Sequence, residues 1–207
     1  MPTEPLSLAV GDESYRGRLN EPDEPTDSGV LVLPGLNHGP FGDVFDQFAS
    51  EAAAEGHRVA RFDSWPDEET LQAKSEDDMA RELGAAVEFL QDSGCSTIAV
   101  VAKSFGGKLA LTHLATDQVD RMVLWAPAVF VGDYEERPTI EPDTLATVDC
   151  PVRLLQGDED RGMSVENAGA IVEHLPEGEL VELPGEDHSF QTDQERIVEE
   201  TLPFLTV

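Results

Sequence analysis

Short apolar runs alternate along this chain with longer segments in which apolar residues recur every three or four positions. The first pattern predicts buried strands and the second predicts amphipathic helices. The predicted strands span residues 5–10, 14–19, 29–33, 58–62, 97–103, 121–125, 152–156 and 179–183. The predicted helices span residues 41–55, 75–92, 108–114, 166–175 and 193–204.

The regular alternation of strands and helices implies a mostly parallel sheet with helices on both faces, that is, a three-layer αβα sandwich of the α/β class. The first two strands are expected to form an antiparallel pair. The sequence contains no internal repeat and no domain linker, so we expect a single domain over residues 1–207. In sheets of this kind, active groups lie at the carboxyl ends of the strands.

A serine stands at the end of one of these strands. Ser104 follows the apolar run at 97–103, and the helical pattern of residues 108–114 begins soon after it. A strand, a serine turn and a helix form the context in which a serine becomes a nucleophile. The turn requires small residues two positions before and after the serine, and Ala102 and Gly106 satisfy this. The pattern also fits an ordinary turn with an N-capping serine.

Two later strand ends carry the partners that a serine nucleophile needs. Residues 157–160 form a Gly-x-x-Asp loop, and residues 185–190 form a Gly-x-x-His-x-Phe loop. With Ser104 they give the chain order serine, acid, histidine. In this order, and each after a predicted strand, the three motifs resemble those of the α/β-hydrolase family. The resemblance covers nearly the whole chain and implies that fold, with a twisted sheet of about seven or eight strands.

The chemistry of a serine nucleophile assigns a role to each group. A serine hydroxyl is a weak nucleophile at neutral pH and needs an adjacent base, here His188. Asp160 is expected to fix the histidine tautomer and to stabilise the imidazolium. Asp158, in the same loop, and Asp133, beyond the preceding strand, stay open as alternatives for the acid.

An oxyanion hole needs two N–H donors. We expect one to be the backbone N–H of Phe105, directly after the nucleophile. The other is expected from the loop after the strand at 29–33, with the backbone N–H of Leu36 favoured by register and Asn37 as its neighbour. Asn37 and His38 are candidate substrate contacts, although His38 would equally serve as a cap of the next helix.

The net charge of the chain bears on the partners that it can bind. It carries 43 acidic and 13 basic residues, a formal net charge of −30. Sequence-independent nucleic-acid binding needs a cationic surface and is therefore excluded. The acids are spread along the whole chain, which is typical of a solvated surface and resembles the composition of proteins from salt-accumulating halophiles. We expect stability and activity to rise with salt, because salt screens the self-repulsion.

Other features set further expectations. The chain starts without a signal segment and has no apolar run near the ~18 residues of a membrane span, so a cytoplasmic protein without membrane contact is expected. Cys95 and Cys150 are far apart and predict neither a disulfide framework nor a metal site. No metal or organic cofactor is expected. The sequence does not determine the oligomeric state.

The short connection at residues 129–150 indicates which members of the α/β-hydrolase family the chain resembles. Larger α/β hydrolases insert a lid between the strands predicted here at 121–125 and 152–156, but residues 129–150 leave room only for a loop or a short helix. The chain thus resembles the small, lidless dienelactone hydrolases and carboxylesterases, and no cap domain is expected. Dienelactone hydrolases proper use cysteine where Ser104 stands, so their substrate is not transferred. We expect a small-molecule ester or thioester substrate; a serine peptidase or amidase, or a non-catalytic scaffold that binds a ligand or partner, are the alternatives.

Overall fold

The computed structural model describes residues 3–36, 39–114, 118–132 and 137–206. The strands in these ranges are β1 (Thr3–Val10), β2 (Glu13–Asn20), β3 (Ser28–Leu33), β4 (Arg58–Phe62), β5 (Thr97–Lys103), β6 (Arg121–Trp125), β7 (Phe130–Val131), β8 (Thr139–Ile140), β9 (Val152–Gly157) and β10 (Gly178–Leu183). The helices are α1 (Asp43–Ala54), α2 (Glu68–Gln72), α3 (Glu76–Asp92), α4 (Phe105–His113), α5 (Pro142–Leu145), α6 (Val165–His174) and α7 (Gln194–Thr201), and a 3₁₀ turn (Leu202–Phe204) follows α7.

Eight of the strands form one sheet in the order β1-β2-β4-β3-β5-β6-β9-β10. All neighbours from β4 to β10 are parallel. The β1–β2 hairpin is antiparallel and joins β4 in antiparallel register. The predicted fold class is therefore confirmed, including the strand number and the antiparallel pair at the start of the chain.

The two faces of the sheet carry two separate apolar cores. In β3, Val30 and Val32 belong to the core under α1 and α7, whereas Leu31 and Leu33 belong to the core under α3, α4 and α6. The alternation follows from the two-residue period of a strand. All four side chains are almost completely buried, as expected for a strand that is covered on both faces. The result is the predicted three-layer sandwich.

The connection between β6 and β9 is short. Its described residues contain the two-residue strands β7 and β8 and the four-residue helix α5, and they form no cap domain. Together with the five-residue helix α2, these are the elements that hydrophobic periodicity did not predict, because they are too short to show a period. None of the helices within the described ranges combines the length and apolar character that a membrane span requires.

Candidate active site

Ser104 lies in a strained turn between β5 and α4. Its backbone has φ 52° and ψ −116°, a conformation that costs a non-glycine residue about 1–3 kcal/mol. The end of β6 holds the turn in place. The Ser104 N–H donates to the Trp125 carbonyl at 2.9 Å, and the Ser104 carbonyl accepts from the Ala128 N–H at 2.9 Å. The strand-to-helix turn predicted from the sequence is therefore present, and it projects the serine from the carboxyl edge of the sheet.

Close backbone contacts explain the small residues around this turn. A Cβ on Gly106 would lie 2.6 Å from the Pro34 carbonyl oxygen, so only glycine fits where α4 passes the end of β3. A Cβ on Gly35 would lie 3.1 Å from the Ser104 Cβ. Ala102 is fully buried in the core on the α3 and α4 side. The loop that follows β3 is thus pressed directly against the serine.

Three side chains from three strand ends meet at this edge. The His188 Nε2 atom lies 2.9 Å from the Ser104 Oγ atom, and the His188 Nδ1 atom lies 2.7 Å from an Asp160 Oδ2 atom. An ionised carboxylate only accepts hydrogen bonds, so Nδ1 carries the proton and Nε2 is left as an acceptor for the serine hydroxyl. The structure therefore brings Ser104, His188 and Asp160 together as one hydrogen-bonded chain.

Asp160 is held by four donors. Its Oδ1 atom accepts from the N–H groups of Gly162 at 2.8 Å and Met163 at 2.9 Å. Its Oδ2 atom accepts from His188 and from the side-chain amide of Gln156 at 3.2 Å. Burial alone raises the pKa of Asp160, but the hydrogen bonds from His188 and the two backbone N–H groups outweigh it and lower the pKa. The carboxyl group is thus kept ionised although its side chain is only 1 % exposed.

The acid loop and the histidine loop pack against each other through backbone atoms. A Cβ on Gly157 would lie 2.1 Å from the Glu186 carbonyl oxygen, which explains why the acid loop begins with glycine. The buried Glu186 carboxylate accepts from the N–H groups of Thr192, at 3.2 Å, and Asp193. Glu186 therefore ties the histidine loop to the start of α7.

Of the two alternatives to Asp160 as the acid, the structure describes only Asp158. Asp158 is exposed, and its Oδ1 atom accepts from the Gly185 N–H at 2.7 Å. It makes no hydrogen bond to His188 within the described part of the chain. Asp133 lies outside the described residues, as do Asn37 and His38, the candidate substrate contacts.

Both expected oxyanion donors border the serine. Phe105 is the first residue of α4, where a backbone N–H has no partner inside the helix. Leu36 follows Gly35, the residue that contacts Ser104. In the ranges that the structure describes, neither N–H donates to a backbone carbonyl of a turn or loop or to a side chain. Among the described residues, neither N–H is therefore committed to another acceptor of these kinds.

A cavity of about 910 Å³ opens beside His188 and Asp160. Ala128 and Met163 give its lining an apolar portion, and the lining also includes charged residues, namely Asp158, Glu159, Arg161 and Asp187. The His188 side chain is 43 % exposed and lines this space.

Two supporting residues were not identified from the sequence. Gln156 is 1 % exposed and bridges Asp160 and the Met163 carbonyl. The sequence feature that could have indicated Gln156 is a polar residue near the end of an otherwise apolar strand. Glu186 is 2 % exposed. In a chain with so many acids, no sequence feature separates Glu186 from the solvated ones.

The profile of the dienelactone hydrolase family matches residues 60–202 of the chain. The chain belongs to this family. The match covers the serine turn, the acid loop and the histidine loop. As a member of the dienelactone hydrolase family, the protein is a hydrolase of the α/β fold. No curated protein matches the chain at a significant level.

Solved structures of similar fold cover nearly the whole chain. Est1E from Butyrivibrio proteoclasticus is 14 % identical, with a TM-score of 0.82 over 97 % of both chains. A dienelactone hydrolase from Anabaena variabilis is 19 % identical, with a TM-score of 0.80 over 98 % of this chain and 95 % of that one. XC6422 from Xanthomonas campestris, described as an α/β serine hydrolase without lid, is 18 % identical, with a TM-score of 0.75 over 99 % and 94 %. At these identities the likeness shows the fold alone, which is that of the lidless α/β hydrolases.

Proposed function

We propose that this member of the dienelactone hydrolase family is a serine hydrolase that cleaves a carboxylic ester or thioester of modest size. The observation that carries the proposal is the unbroken chain of hydrogen bonds from the Ser104 Oγ atom through His188 to Asp160. A binding scaffold has no need of all three groups in this order, whereas acyl transfer requires them.

The reaction proceeds through an acyl-enzyme. His188 Nε2 takes the proton from the Ser104 hydroxyl while the oxygen attacks the carbonyl carbon, and it then gives that proton to the leaving alcohol or thiol. Water attacks the acyl-enzyme in the second half, with His188 again acting as the base. Asp160 holds the imidazole and stabilises its charged form.

The negative oxygen of each tetrahedral intermediate is held by the backbone N–H groups of Phe105 and Leu36. Because these donors belong to the backbone, the chemistry sets few demands on side chains near the oxyanion. The open cavity beside His188 and the absence of a cap in the described residues favour a small acyl substrate over interfacial catalysis on lipid.

The test is reaction with a fluorophosphonate probe at molar salt, followed by peptide mass spectrometry. We expect one covalent adduct on Ser104 and none in Ser104→Ala. The matched control is Ser96→Ala, which changes an exposed serine just before β5 and should leave labelling intact. Wild-type protein that is folded but takes no label would contradict the proposal and favour a non-catalytic scaffold. A panel of esters, thioesters and amides then gives the substrate class.

The close approach of the β3 loop gives a second test. Gly35→Ala adds a methyl group 3.1 Å from the Ser104 Cβ and 3.6 Å from its Oγ atom. We expect kcat for an ester to fall by about tenfold or more, because the loop and the serine must move apart and misplace the nucleophile. Gly84→Ala is the matched control, since nothing lies within 4 Å of a Cβ there. That variant should keep its kcat and gain about 0.5–1 kcal/mol of helix stability. Equal kcat values for the two variants would contradict the assigned position of the loop.

A further inference from the structure

A buried lysine connects the strand of the nucleophile to the loop of the base. Lys103 is the last residue of β5, is 7 % exposed, and donates from its Nζ atom to the Ser189 carbonyl at 2.9 Å. Lys103 precedes Ser104 and Ser189 follows His188. The Lys103–Ser189 hydrogen bond therefore runs beside the contact between serine and histidine and spans the same gap.

The residue after Ser189 adds a second contact to the same ammonium group. The Lys103 Nζ atom lies 5.6 Å from the centroid of the Phe190 ring, within the range of a cation–π interaction. Phe190 is fully buried and has φ 57°, a left-handed conformation that is costly for an aromatic residue. Such a conformation persists only where the surroundings hold it, and Lys103 is part of those surroundings.

Stability alone does not account for a lysine at this position. Removing an ammonium group from water is costly, and an apolar side chain of similar length avoids that cost. Burial lowers the pKa of Lys103, and the acidic groups that face it, Asp187, Asp43, Asp160 and Glu186, only partly oppose this. The charged form is therefore less favoured in the folded protein than in water, and a lysine at this buried position calls for another role.

We propose that Lys103 is a positioning residue, whose ammonium group holds the Ser189 carbonyl and the Phe190 ring so that His188 Nε2 stays aligned with the Ser104 hydroxyl. The inference rests on the proposed serine-hydrolase function. Lys103 acts on catalysis through His188, without contact to the substrate.

The test compares Lys103→Met and Lys103→Arg with wild type at molar salt. Lys103→Met is expected to lower kcat for an ester by about 10- to 100-fold, because a small misplacement of the base slows proton transfer. KM should stay within about threefold of wild type, since the substrate site is intact. Lys103→Arg keeps a charged donor and should recover part of the loss. Lys108→Met, which removes a partly exposed lysine of α4, is the control and should keep its kcat.

Melting temperature separates positioning from a merely structural role. Lys103→Met removes a costly buried charge but also the donor to the Ser189 carbonyl, so we expect its Tm to stay within about 3 °C of wild type while kcat falls. A structural role would lower Tm and kcat together, and that result would overturn the inference. So would a kcat for Lys103→Met within about twofold of wild type.

The pH profile gives an independent readout even if Lys103→Met fails to fold. A lysine with a lowered pKa loses its charge at a lower pH than an exposed lysine. In wild type, kcat should therefore fall as pH rises through that pKa, and in Lys103→Arg the fall should move to higher pH. If kcat fell over the same alkaline pH range in wild type and in Lys103→Arg, the inference would be overturned. Fluorophosphonate labelling of Ser104 keeps the two questions apart: unlabelled wild type refutes the proposed function and this inference with it, whereas labelled wild type with unaffected Lys103 variants refutes the inference alone.

Discussion

Replacing Asp160 by asparagine is expected to lower kcat by about 10⁴-fold with little loss of folding. The two backbone N–H groups at the Oδ1 position require an acceptor, so the amide oxygen of the variant takes that place. Its NH₂ group then faces His188 Nδ1, which becomes an acceptor and leaves the proton on Nε2. Nε2 can then no longer take the serine proton. Steady-state kinetics and thermal melting at molar salt measure the two effects.

Asp158→Asn is the matched control for this experiment. It changes an acid two residues away, and the Asn oxygen can still accept from the Gly185 N–H as Asp158 Oδ1 does. We expect kcat to stay within about threefold of wild type. If Asp158→Asn were the more damaging of the two changes, the assignment of Asp160 as the acid would be wrong.

Raising the salt concentration from about 0.1 M to about 2 M KCl is expected to raise Tm by about 10 °C or more, and to raise kcat with it. The physical reason is the net charge of −30. Among the described residues, salt bridges with Lys or Arg engage only seven acidic side chains. The other carboxylates repel one another, and screening weakens that repulsion in the folded state more than in the expanded unfolded state.

Salt also strengthens apolar burial, so a charge variant is needed to separate the two causes. Glu88 and Asp92 are exposed, stand four residues apart on α3, and lie where the helix dipole is negative. Asp92→Lys converts this repulsive pair into an attractive one and places a cation at the helix end. We expect Tm to rise by about 2–4 °C in dilute buffer and by much less at molar salt. Charge repulsion would be refuted as the cause if Asp92→Lys raised Tm equally at both salt concentrations. A wild-type Tm that does not change with salt would refute it as well.

The sequence predicted the long elements of the fold well because each has a clear period or a clear boundary signal. Ser75 and Asp78 form a capping box at the start of α3, close to where the predicted helix begins, with the Ser75 hydroxyl accepting from the Asp78 N–H at 3.2 Å. The strands at 58–62 and 121–125 match the structure residue for residue. The helix after Ser104 begins at Phe105, earlier than expected, because two glycines at its start conceal the helical pattern.

The candidate site was predictable where a residue type carries its own chemistry. Ser104, Asp160 and His188 follow strand ends in an informative order, and the structure brings their side chains together. The contacts that support them depend on atoms distant in sequence. Gln156 and Lys103 reach Met163 and Ser189 through backbone carbonyls, and a backbone carbonyl leaves no mark in the amino-acid sequence.

Three other non-glycine residues in the described part of the chain share the positive φ of Ser104. Among the described residues, the non-glycine positions with positive φ are Asp43, Ser104, Ala126 and Phe190. Ser104 and Ala126 directly follow β5 and β6, Phe190 lies in the histidine loop after β10, and Asp43 begins α1 after the loop that follows β3. At about 1–3 kcal/mol each, their combined cost is comparable with the net stability of about 5–15 kcal/mol of a typical domain. The edge of the sheet that positions the serine and the histidine is therefore also the least relaxed part of the backbone. Engineering this hydrolase for dilute solvent thus faces a trade-off between stability and activity: gains are best sought on the helices and outer strands, because easing these four positions would loosen the reacting groups.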